Sequence, residues 1–168
     1  MTRPTFPWIH PAIAACIWAV AFGLLSLYWA AGGDLGISTL ARTIQDAASE
    51  GDDAMRLTTA LTGVLKIAAG LLALWTLRPV GGQRLQTVGL SLLWGCAILF
   101  ALYGLLGFVE KLLMGFGVIG VPDGLGEDVV WWYVFLWEPI WILGGALYFM
   151  TAMLFGRALR ADRAAGPR

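Results

Sequence analysis

Long apolar runs separated by short polar breaks organise this chain. A spanning helix needs about 20 mostly apolar residues, and four stretches meet that requirement: residues 12–31, 57–77, 87–108 and 129–155. None sustains the alternation of a membrane β-strand. The pattern predicts an all-α integral membrane protein, a four-helix transmembrane bundle forming one domain over residues 1–168. Helices suit a bilayer because they satisfy their own backbone polar groups. The first stretch is longer than the apolar core of a signal peptide and no clear cleavage site follows it, so it is read as retained.

The breaks carry helix-end chemistry. Pro4, Pro7 and Pro11 precede the first span, where a missing N–H costs little. Gly32 and Gly33 follow it, Arg78-Pro79 and Gly81-Gly82 make a tight second connection, and Pro122, Gly124 and Gly126 precede the fourth span. The first long connection, 32–56, has two equal readings. In one, Ser38 caps an amphipathic helix with Leu40, Ile44, Ala47 and Ala48 on one face, lying on the membrane surface. In the other it is a mobile acidic loop, with Glu50-Gly51-Asp52-Asp53 simply solvated. The second long connection, 109–128, contains the apolar run Leu112–Val121, about half a span long. It prolongs the third helix, lies in the interface or re-enters; prolongation is the expectation for its first residues.

Composition sharpens this. Charged residues are 13% of the chain, against about 25% in soluble domains, so lipid is the expected surrounding partner. Eleven Lys and Arg balance eleven Asp and Glu, which argues against a nucleic-acid partner. Seven of the basic residues lie in the N-terminus, the second connection and the C-terminal tail, against three in the two long connections. The positive-inside rule then predicts both termini in the cytoplasm, N-in/C-in, and the long connections outside. Tyr28, Trp29, Trp131, Trp132 and Tyr133 sit at the outer boundary, and Phe6, Trp8 and Trp75 at the inner one, as an aromatic belt does.

The strongest chemical signal is a pair of ionisable residues inside the spans, Lys66 and Glu138. Each lies nine residues in from the outer end of its span, roughly 13–14 Å deep. Matched depth predicts a direct or water-bridged contact, because a charge in hydrocarbon seeks a partner. Thr59, Gly63, Lys66, Gly70 and Ala73 share one face of the second span, where small residues admit a neighbouring helix. Gly89, Gly104 and Gly107 serve the same purpose in the third. Pro139 follows Glu138 and predicts a kink, since it lacks an N–H and its ring meets the carbonyl of Phe135. Cys16 and Cys96 are isolated and read as packing residues. His10, the one histidine, leaves no zinc or Ser-His triad arrangement, so neither a metal nor a cofactor is expected and no residue is assigned as catalytic.

Two stretches resemble a known bacterial family. Tyr28-Trp29-Ala30-Ala31-Gly32-Gly33-Asp34-Leu35-Gly36 is similar to its signature at the end of the first helix. Trp137-Glu138-Pro139-Ile140-Trp141-Ile142-Leu143-Gly144-Gly145 is similar to its late signature. The family is domain of unknown function 3995, small four-helix membrane proteins. The resemblance implies the same four spans and the bacterial plasma membrane. It implies no activity, and Lys66 belongs to neither signature.

Two functional readings follow. In the first, the protein is a non-enzymatic assembly or interaction subunit, or a small carrier, built around the Lys66–Glu138 pair. A carrier would require a homo-oligomer, because four helices leave little room for alternating access. In the second, it is an intramembrane enzyme or lipophilic-ligand binder, with a pocket lined by Trp29, Trp94, Trp137, Trp141 and Tyr148 and Glu138 as acid or base. A cavity of a few hundred cubic ångströms touching Glu138 favours the second reading, and a sealed pair favours the first.

Overall fold

The computed structural model describes residues 9–165; Pro4, Phe6, Pro7, Trp8, Arg3 and Arg168 lie outside them. Five helices form: α1 (Ile9–Ala30), α2 (Arg42–Glu50), α3 (Asp53–Trp75), α4 (Gln83–Gly115) and α5 (Glu127–Ala165). Four of them, all but α2, are long and apolar enough to cross a membrane. Their outward surfaces carry exposed large side chains such as Ile17, Leu65, Leu99, Leu106 and Phe135, as helices that contact lipid would. The helices are longer than the predicted spans, α4 and α5 by far the most, and Leu112–Gly115 do prolong the third.

α1 packs along α3, and α4 along α5; the two pairs join mainly through α1 and α5. Backbones approach at glycines. A Cβ on Gly23 would lie 2.8 Å from the carbonyl oxygen of Gly63, and one on Gly63 3.0 Å from that of Gly23. The α4–α5 seam repeats the device, since a Cβ on Gly104 would lie 2.7 Å from the nitrogen of Ile142 and one on Gly145 2.6 Å from that of Ala101. Without a hydrophobic force between helices in lipid, such close approach is what dispersion attraction requires.

The bundle has two unlike ends. At the turn end, where residues 76–82 join α3 to α4, alanines of all four long helices surround Leu93, Tyr148 and Phe155 in a dense core. At the loop end, Phe22, Leu40 and Trp137 form a second, smaller core.

Of the two readings of the first long connection, the helix holds and the free loop does not: α2 forms and roofs the loop end. Ser38 does not cap it. Ser38 sits in a single 3-10 turn (Ile37–Thr39), and the helix starts after Ala41. Its first N–H groups are satisfied by tertiary partners instead: Arg42 N donates to Leu125 O and Thr43 N to Gly124 O. Helix-start donors need acceptors from somewhere, and here the second long connection supplies them. The Arg42–Asp128 ion pair (2.9 Å) adds a link, though both groups are exposed, so its contribution is small. Asp52 is not merely solvated either, because its Oδ1 accepts from Ala54 N and Met55 N and caps α3.

Pro139 acts differently from a simple kink. The stretch before it, Tyr133–Trp137, is a π-helix. The proline leaves the Phe135 carbonyl without its usual donor, and the wider turn absorbs the mismatch.

Candidate functional site

The loop end encloses a cavity of about 670 Å³. Its walls come from α1 (Phe22, Ser26, Trp29), the polar face of α3 (Arg56, Thr59, Lys66), Tyr103 of α4, and Tyr133, Trp137 and Trp141 of α5. Leu40, Ile44 and Ala48 close it from the roof.

Each wall is held by identifiable bonds. Trp137 Nε1 donates to Thr39 O (3.2 Å) and Thr39 Oγ1 (3.1 Å), tying α5 to the segment before α2. The Tyr133 hydroxyl accepts from Ala41 N at 3.1 Å, so the π-helical stretch carries two of the side chains that hold the roof. Trp29 Nε1 donates to Leu35 O at 2.8 Å. Below, Trp18 Nε1 donates to Ile140 O at 3.0 Å and locks α1 to α5, and its ring lies where any side chain on Gly144 would project.

Lys66 is the one cation deep in this wall. It is 9% exposed, and its Nζ donates to Ser26 Oγ at 2.8 Å. Ser26 in turn donates to Phe22 O at 3.1 Å. The ammonium stands 4.0 Å from the centroid of Phe22 and 5.2 Å from that of Trp141. Aromatic faces attract a cation through their quadrupole, but carry no net charge to neutralise it.

The expected direct pairing of Lys66 with Glu138 does not form. Among the described residues the ion pairs are Arg42–Asp128 and Lys111–Glu110. The reason is azimuth: equal depth puts two residues at one height, but α3 packs on α1 while α5 packs on α4. Glu138 turns into the α4–α5 seam, where its carboxyl lies 2.5 Å from the point a Cβ on Gly107 would occupy. It is 3% exposed, its Oε2 has no hydrogen-bond donor, and it is not on the cavity wall.

Of the five aromatic residues assigned to a pocket, Trp29, Trp137 and Trp141 line the cavity. Trp94 and Tyr148 do not. Trp94 packs edge-on to Phe149, with centroids 5.2 Å apart, and Tyr148 is fully buried in the turn-end core. Sequence reasoning missed Phe22, Ser26, Tyr103, Tyr133 and the roof. Ser26 had a usable signal, a polar side chain inside an apolar run. The roof residues Leu40, Ile44 and Ala48 were legible as one amphipathic face, but nothing in that spacing says that the face docks over the spans.

An all-α architecture with four candidate membrane spans and a roofed aromatic cavity therefore defines this molecule. The chain belongs to the family of proteins of unknown function DUF3995, whose model matches residues 19–148 and so takes in Ser26, Lys66 and all the cavity's aromatic side chains. No curated protein and no solved structure matches it.

Proposed function

We propose that this protein binds a lipophilic molecule in the loop-end cavity and holds it rather than transforming it. One observation carries the reading: a cavity of about 670 Å³ between membrane helices, walled by aromatic side chains. That volume falls within the roughly 300–1,000 Å³ of ordinary ligand pockets. Glu138, the acid–base candidate, stands off the wall, which weakens the enzyme reading, and the undivided Lys66 and Glu138 pair that motivated an assembly or carrier role is not directly joined.

The orientation is part of the proposal. The seven-to-three distribution of basic residues supports cytoplasmic termini in a bacterial plasma membrane, with the cavity in the outer half and α2 as its external roof. A reporter fused after Arg168 is expected to read cytoplasmic.

The test uses the native tryptophans. In nanodiscs of phosphatidylcholine, a brominated long-chain alcohol should quench Trp29, Trp137 and Trp141 fluorescence saturably. Ala48→Phe, which projects from the roof into the cavity, should abolish the saturable part. Quenching that rises linearly with probe in both proteins is partition into lipid and refutes the reading.

A further inference from the structure

The cavity wall is chemically lopsided. Its ionisable acidic and basic side chains are Asp34, Arg56 and Lys66, so cations outnumber carboxylates. Asp34 already accepts from the Tyr28 hydroxyl at 3.3 Å. Arg56, Thr59 and Lys66 run down one face of α3 from the mouth inward, a cationic and hydroxyl track in an otherwise largely apolar chamber. At its inner end Lys66 has three ammonium donors, and Ser26 Oγ takes one of them. The rings of Phe22 and Trp141 also face the ammonium.

A cation inside a membrane is expensive and calls for an anionic partner. The chain does not supply one within ion-pair distance of Lys66 among the described residues. The ligand is the group left to do so. Resting on the binding reading above, we propose that the cavity's occupant is a single-chain amphiphile with one anionic head group, a carboxylate in the simplest case. The head group sits on Lys66 Nζ, and the chain lies against Phe22, Trp137 and Trp141.

Three features fit that class. A carboxylate accepts charge-assisted bonds from an ammonium, about twice as strong as neutral ones. The aromatic wall suits an alkyl or isoprenoid chain. α3 and α4 touch along only a small part of their lengths, and Thr62 of α3 and Tyr103 of α4, both exposed, border the cavity. An amphiphile in the bilayer thus has a side approach between these helices, and a chamber of about 670 Å³ suits one chain better than two.

The test is a head-group series on the whole protein in phosphatidylcholine nanodiscs. The probes are dibrominated octadecanoate, the matching alcohol and the matching trimethylammonium, read by tryptophan quenching. The carboxylate is expected to bind roughly ten- to a hundredfold tighter than the alcohol, the range of a charged hydrogen bond, and the trimethylammonium more weakly than the alcohol. Lys66→Met should bring the carboxylate-to-alcohol ratio to about one. If that variant does not fold, the series on the unmodified protein decides alone. Equal binding of carboxylate and alcohol overturns this inference and leaves the binding reading standing; no saturable binding of any probe overturns both. Repeating the series in nanodiscs containing phosphatidylglycerol separates the sources: displacement of the carboxylate by that two-chain lipid overturns the single-chain assignment.

Discussion

The two ends of the bundle are built from the same four spans and different side chains. At the turn end, small residues such as Ala15, Ala19, Ala69, Ala73 and Ala152 let the helices close around a few large ones. At the loop end, large rings pack edge to face beside a space that they do not fill: the centroids of Phe22 and Trp141 lie 4.9 Å apart, and those of Trp29 and Trp137 5.6 Å. Small residues in lipid produce contact, because backbones can approach. Rings from several helices hold the same backbones apart, and a roof then converts the gap into a chamber. One end is closely packed, and the other, on the proposed reading, is a place for a second molecule.

Overfilling the dense end should have the largest effect. Gly145→Leu puts atoms where Ala101 already stands, and about 3 kcal/mol or more of stability is expected to be lost, read as a fall in thermal midpoint and folded yield in detergent. Hollowing the two ends should separate them next. Leu93→Ala at the turn end is expected to cost about 2 kcal/mol, the low end of the soluble-core range because lipid replaces water as the reference. Ile44→Ala, beside the existing cavity, should cost less than about half of that. Equal losses would erase the contrast between the ends.

Loosening the roof is a smaller change. Tyr133→Phe removes the acceptor for Ala41 N and should cost about 1 kcal/mol. It should speed amide exchange across residues 41–50 several-fold while leaving residues 90–100 unchanged. Smallest of all is the coupling between the intramembrane charges. Because Lys66 and Glu138 are held in different seams, Lys66→Met and Glu138→Gln should add to within about 0.5 kcal/mol. A coupling of several kcal/mol, as for a broken buried pair, would restore the direct pairing that matched depth suggested.

The spans were legible because hydrocarbon imposes a length and a composition on any helix that crosses it. The packing face of α3 was legible for the same reason: Gly63, Lys66, Gly70 and Ala73 recur at helical spacing, and all are buried. What escaped was everything set by rotation of one helix about another. Depth along the axis can be counted in residues, but the direction of Lys66 or Glu138 around the axis depends on partners that the count does not name. Trp94 and Tyr148 were assigned to a pocket for their chemistry, and they fill the dense end instead. The roof's amphipathic face was legible, but its docking was not, since α2 starts where carbonyls of Gly124 and Leu125 are offered by a distant connection. Asp52 was read as solvated although an Asp just before an apolar helix is a common cap.

Mass measurement of the intact protein released from native membranes tests the central claim most directly, because it asks whether the loop end holds something. A single small lipophile should remain bound to each chain, and Ala48→Phe should remove it while the protein stays folded. Identical adducts on both proteins, or none on either, would contradict the account.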